Sequence, residues 1–206
     1  MRVNTTEIKE KLSSFYNDYS TAYKTAAANS KKDYLSTLAP GARIPAEERL
    51  FTQESKEAFL KKSEEMKAGT VSYLLDNIKE VQRLKTNPPH KEAVNYISML
   101  NQLAEPEAGL IDIAMNRYGD NYITYKALFD IAARHEMNDF KPPVLDSLEE
   151  VLINEYNNIS TIERNINANG EMNTGALLFQ EANITMPEFD SMGTVEGAIR
   201  EPVSYY

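Results

Sequence analysis

The sequence predicts an all-α fold, a helical bundle or elongated helical array of about six helices followed by an irregular acidic carboxyl-terminal tail. Three observations carry this expectation. Apolar residues recur at three- and four-residue steps along most of the chain, as one face of a helix requires. Gly (8) and Pro (9) are few among the 206 residues, which argues against a turn-rich all-β architecture. Only 42% of the residues are hydrophobic and the mean hydropathy is -0.50, which suits helices with wide polar faces.

Helix one begins near Thr5/Thr6, either of which can cap it. It carries Ile8, Leu12, Phe15, Tyr19, Ala22 and Ala26 at alternating steps of four and three, with Tyr16 and Tyr23 beside that stripe. Pro40-Gly41 ends it. Helix two is expected from about Thr52, with Phe59, Met66, Val71, Leu74, Ile78, Val81 and Leu84 as its apolar positions. Asn87-Pro88-Pro89 stops it, because a residue before proline avoids the helical region. Helix three, from about Pro89 to Leu103, shows Ala93, Ile97, Leu100 and Leu103. Helix four follows Pro106 with Leu110, Ile111, Ala114 and Met115, and ends at Gly119. Helix five starts near Asn121 or Thr124, uses Leu128, Ile131, Ala132 and His135, and is closed by Pro142-Pro143.

Helix six has the clearest pattern. Asp146 or Ser147 can cap it, and Glu149 and Glu150 follow in its first turn, where the helix dipole favours anions. Leu148, Leu152, Glu155, Ile159, Ile162 and Ile166 then alternate at four and three, so an acid occupies one place in an apolar seam. Asn169-Gly170 is the expected stop. These elements divide the chain into 1–87, a long helical pair; 88–170, four shorter helices; and 171–206, an acidic tail. The tail holds six acids and one Arg. With no core of its own, it is expected to be irregular or to dock through residues such as Phe179, Phe189 and Tyr205.

Composition removes several function classes. No Cys is present, so disulfide scaffolds, thiolate metal sites and cysteine nucleophiles are excluded. The amino-terminal residues are polar and lack an apolar signal segment, and no apolar run approaches membrane-spanning length. A cytoplasmic location is the expectation. The net charge is -9 and is unevenly placed. Residues 1–100 carry 16 Lys/Arg against 13 Asp/Glu, while 101–206 carry 6 against 18. Neither half offers the basic footprint that a phosphate backbone needs, so nucleic acid is not an expected partner.

Reactive side chains are sparse. His90 and His135 are the two histidines, placed where a helix start and a helix end accept a polar or cationic residue for structural reasons. No zinc, phosphate-loop or serine-elbow motif occurs. Carboxylate pairs at Glu7/Glu10, Glu54/Glu57 and Glu136/Asp139 could serve a metal-dependent helical hydrolase, although solvated helices show the same spacing. The stretches 116–127 and 165–176 have the flavour of calcium loops. Both carry Ala at the twelfth place, where calcium needs a bidentate carboxylate, so a helix–turn–helix and an Asn-rich helix end explain them. No cofactor or metal is expected.

Tyrosine is abundant (12, with no Trp) and clusters at Tyr16, Tyr19 and Tyr23 and at Tyr118, Tyr122 and Tyr125. Such residues serve either half-buried bundle positions or wet protein interfaces. The stretch Arg117–Glu136 (RYGDNYITYKALFDIAARHE), with the Lys/Glu-rich amino-terminal helices, resembles uncharacterised proteins from prophage structural-gene regions of low-GC Gram-positive bacteria. That resemblance implies a virion-assembly or host-interaction role, a virion-associated location, and no catalytic residues. The functional expectation is a non-catalytic protein-binding or assembly protein acting through a protein partner or self-association. A metal-dependent hydrolase and an acidic mask for a basic partner are the alternatives. Leu12, Phe15, Tyr19, Leu152, Ile159 and Ile162 are the candidate interaction residues, on seams that could close within one chain or between copies.

Overall fold

The computed structural model describes residues 3–37, 53–137 and 140–165. Among these lie six α-helices: α1 (Thr5–Thr37), α2 (Gln53–Thr86), α3 (Lys91–Gln102), α4 (Ala108–Tyr118), α5 (Tyr122–Arg134) and α6 (Leu145–Ser160). A 3₁₀ turn, Ile162–Asn165, follows α6. Beyond a single bridge residue at Asn4, the described residues contain no β-structure. The fold is all-α. None of the described helices is long and apolar enough to cross a membrane.

The helix ends follow local chemistry. The Asn121 side chain accepts the Thr124 N–H at 3.1 Å, which makes Asn121 the cap of α5. Its Nδ2 also donates to the Asn87 carbonyl at 2.9 Å, so one amide fixes the start of α5 and the link between α2 and α3. Helix α4 stops at Gly119, whose N–H donates to Met115 O at 2.8 Å. A Cβ there would sit 2.4 Å from that carbonyl oxygen, so space, not backbone handedness, requires glycine. Helix α5 ends well before Pro142-Pro143, in a two-bond C-terminal motif. The Met137 N–H donates to Ala132 O and the Glu136 N–H to Ala133 O, with Glu136 in the left-handed region at φ 57.

Helix α6 begins before the expected Asp146/Ser147 cap. Its bonding already starts at Val144 O, which accepts the Leu148 N–H at 3.0 Å. Asp146 is thereby free to use its carboxylate elsewhere. The helix also ends sooner, at Ser160, and the chain tightens into the 3₁₀ turn with Arg164 N–H on Thr161 O. Ile166, the Asn169-Gly170 stop and the tail 171–206 lie outside the described residues, as do Asp139 and the stretch 166–176.

The chain forms two compact units that do not coincide with the divisions at 87/88 and 170/171. Among the described residues, unit 1 comprises Asp76–Ile153 with the first residues up to Thr6, and unit 2 comprises Glu7–Leu75 with residues 154–165. In unit 1, α3, α4 and α5 pack on one another. They bury Ala93, Leu100, Ile111, Ala114, Met115, Leu128, Ile131 and Ala132. Unit 2 buries Ile8, Leu12, Phe15, Tyr16, Tyr19, Phe59, Leu74, Ile159 and Ile162.

Candidate functional site

All six candidate interaction residues are inside. In unit 2, Leu12, Phe15, Tyr19, Ile159 and Ile162 are buried; in unit 1, Leu152 is buried. The rings of Phe15 and Tyr19 meet at 5.8 Å, and Tyr19 meets Phe59 edge-on at 5.4 Å. The two seams are therefore closed within this chain, and these side chains offer no surface to a second molecule. The physical reason is that a stripe this apolar is buried by the first complementary helix it meets, and the chain supplies one.

Tyr16, Tyr122 and Tyr125 fill core positions and keep their hydroxyls partnered. In unit 2, Tyr16 is fully buried and its hydroxyl donates to Glu155 Oε2 at 2.7 Å. Burial raises the Glu155 pKa, against hydrogen bonds from Tyr16 and Asn158 that lower it. Burial, and then the Glu155 charge, push the Tyr16 phenol well above the usual tyrosine range. In unit 1, Tyr125 donates to Lys141 O at 3.0 Å and Tyr122 to Asp146 Oδ2 at 2.5 Å.

That Tyr122–Asp146 bond belongs to the densest charged cluster of unit 1, contributed by α2, α5 and α6. Lys85 lies 2.6 Å from Asp146 and also pairs with Glu149. Lys126 lies 3.0 Å from Asp146. Gln82 donates to Glu149 at 3.0 Å. Burial works to raise the Asp146 pKa, but hydrogen bonds from Lys85, Tyr122 and Lys126 outweigh it and hold the carboxyl well below the usual range. Burial and Asp146 together push the Tyr122 phenol upward, so it stays protonated. Two ammoniums neutralise two carboxylates, and no group in the cluster is left as a free base or nucleophile. The arrangement ties three helices together.

The remaining sequence candidates are histidines, carboxylate pairs and calcium-like stretches. Among the described residues no group of three or more His, Asp or Glu is placed to hold a metal ion. His90 is the α3 N-cap residue without a side-chain cap bond, and His135 is the α5 C-cap residue. The calcium-like stretch 116–127 is the α4–α5 helix–turn–helix. An open cleft lined by His90, Lys91, Glu92, Arg117, Tyr118 and Asp120 lies in unit 1. Inside it Glu92 pairs with Arg117 at 3.2 Å.

Pattern reading missed the polar side of the α2 core face. Ser63, Thr70 and Asn77 are buried at seven-residue intervals. The signal that could have found them is that spacing itself, since a heptad seam continues through its polar members. The Tyr16–Glu155 partnership had no local signal, because 139 residues separate the pair.

What the surface does offer is apolar. Val94, Met99, Leu103, Ile113, Ile123 and Ile153 are the exposed large hydrophobic residues among those described. All six fall in unit 1. No protein-family model, curated protein or solved structure matches the chain.

Proposed function

We propose that the chain is a non-catalytic protein-binding or assembly protein whose docking surface is carried by the helices of unit 1. The observation that supports this reading is the distribution of exposed large apolar side chains. Six lie on unit 1 and, among the described residues, none lies on unit 2. Ile113 is 56% exposed and stands on the face of α4 opposite Ile111, Ala114, Met115 and Tyr118. Met99 and Leu103 are one helical turn apart beside the buried stripe of α3. Isolated exposed apolar residues are ordinary on any protein, but their segregation to one unit is what a binding surface requires. A helix presenting its own apolar stripe is the partner that such side chains accept. The resemblance of residues 117–136 to prophage structural-region proteins supports an assembly role, with the partner a virion protein or a second copy of this chain.

The test is a pair of surface variants, Ile113→Glu and Met99→Glu. Each is expected to keep its thermal midpoint, because exposed substitutions usually cost within about 0.5 kcal/mol. Each should also abolish any concentration-dependent rise in mass seen by light scattering, and weaken the complex with any purified partner. A wild-type chain that stays monomeric at every concentration, with partner affinity untouched by either variant, rejects the reading.

A further inference from the structure

We propose that the outer edge of the α3–α4 hairpin in unit 1 takes a basic amphipathic helix of another protein, one that sets Lys or Arg beside its apolar stripe. This rests on the docking role proposed for unit 1 and names the chemistry of the partner.

The edge is built from side chains at three- and four-residue steps. Glu92, Tyr96, Met99 and Leu103 follow one another along α3 and its C-cap, beside the buried Ala93 and Leu100. Two contacts lay this stripe against α4: the Tyr96 hydroxyl donates to Leu110 O at 3.4 Å, and Glu92 pairs with Arg117 at 3.2 Å. The Tyr96 ring also meets that of Tyr118 at 6.2 Å. Tyr96 and Leu110 are half-buried at this line. Met99 and Leu103 are exposed along it, and the exposed Ile113, one turn beyond Leu110, carries the apolar surface onto the outer side of α4. Helix α3 has 12 residues, about 18 Å at 1.5 Å per residue, so a partner helix of about three turns spans it.

Charge decides the occupant. Glu105 and Glu107 stand in the turn that joins the two helices, just beyond Leu103. Both are exposed, and neither carboxylate has an ion-pair partner among the described residues. Arg117 lies at the other end of the edge, engaged by Glu92 and stacked over the Tyr118 ring at 5.1 Å. Lys91 is on the first turn of α3, a helix length from the two open acids. A partner that covers Leu103 therefore meets uncompensated negative charge. Acids beside its stripe would be repelled there, whereas an ammonium or guanidinium would find a carboxylate. Nucleic acid or an anionic lipid surface would meet the same repulsion. A second copy docking through this face would bring the same open acids and not the cations they lack.

Two helical peptides of about 18 residues, five turns, test this on the full chain. One has a leucine stripe flanked by lysine, the other the same stripe flanked by glutamate. The lysine peptide is expected to bind, to shift amide resonances chiefly on α3 and α4, and to weaken as salt is added. Combining Glu105→Lys with Glu107→Lys should weaken it by about tenfold or more and admit the glutamate peptide. Leu103→Ser should weaken it as well. A glutamate peptide that binds the wild type as tightly overturns the basic partner and leaves the docking role of unit 1 standing. So does a dimer in light scattering that Met99→Glu dissolves, because a second copy is then the occupant. Shifts centred elsewhere, or a lysine peptide indifferent to the double charge reversal, also overturn the proposal. If neither peptide binds, the basic partner is rejected; the docking role falls with it only where the Ile113→Glu and Met99→Glu tests are negative too.

Discussion

Glu136 holds the left-handed backbone at the end of α5 (φ 57) where glycine is the usual occupant. A side chain there costs about 1–2 kcal/mol of backbone strain, against about 0.5–1 kcal/mol of extra unfolded-state entropy for glycine. Glu136→Gly should therefore stabilise the chain by about 0.5–1 kcal/mol, read from urea unfolding. Glu155 illustrates the opposite relation between residue and site. Its seam position was visible in the sequence, but its partner Tyr16 was not. Because burial raises its folded pKa, protonation favours the folded state. That favourable contribution is complete at low pH and disappears as pH rises through the folded pKa. Glu155→Gln keeps an acceptor for the Tyr16 hydroxyl and removes the buried charge. It should raise the unfolding midpoint at neutral pH, with the gap narrowing as pH falls toward the ordinary glutamate value of about 4.3. A gap that widens on acidification would contradict this assignment.

At the scale of the element, periodicity and stop signals located the starts of the six described helices and the ends of the first four to within a few residues, because those boundaries are decided by local chemistry, whereas α5 and α6 end well before their expected stops. Pro88-Pro89, Asn121 and Gly119 act through their own backbone and immediate neighbours. The disagreements arise where a distant group intervenes. Helix α6 starts early because Val144 O opens its bonding, and Asp146, expected as a cap, spends its oxygens on Lys85, Lys126 and Tyr122. Leu152 tests whether the α6 seam is satisfied inside the chain. It is fully buried, and Leu152→Ala should cost about 2–5 kcal/mol. The loss should be the same at every protein concentration, because the contacts are intramolecular. A loss that shrinks as protein is added would place the seam between copies instead.

At the scale of the whole molecule, acid should expose the weight of the ionic cluster. The Asp146 carboxyl titrates below its unfolded value, so its contribution is complete above about pH 3.9 and is lost as pH falls through the folded pKa. Asp146→Asn should lower the urea midpoint at neutral pH and flatten the decline on the acid side; an acid limb as steep as that of wild type would count against the cluster. The net charge of -9 sets the molecule's solubility and its repulsion of polyanions, whatever the arrangement of its helices. The sequence alone determined the fold class, the helix count and the sparseness of reactive side chains, since each depends on spacing, composition and short-range stereochemistry. Only the tertiary structure decided which stripes are interior, that Tyr16 serves the buried Glu155 and Tyr122 the partly exposed Asp146, and that the exposed apolar residues fall on one unit. Those outcomes depend on which residues meet across long separations, and a helical stripe is written identically whether it is covered by its own chain or by another.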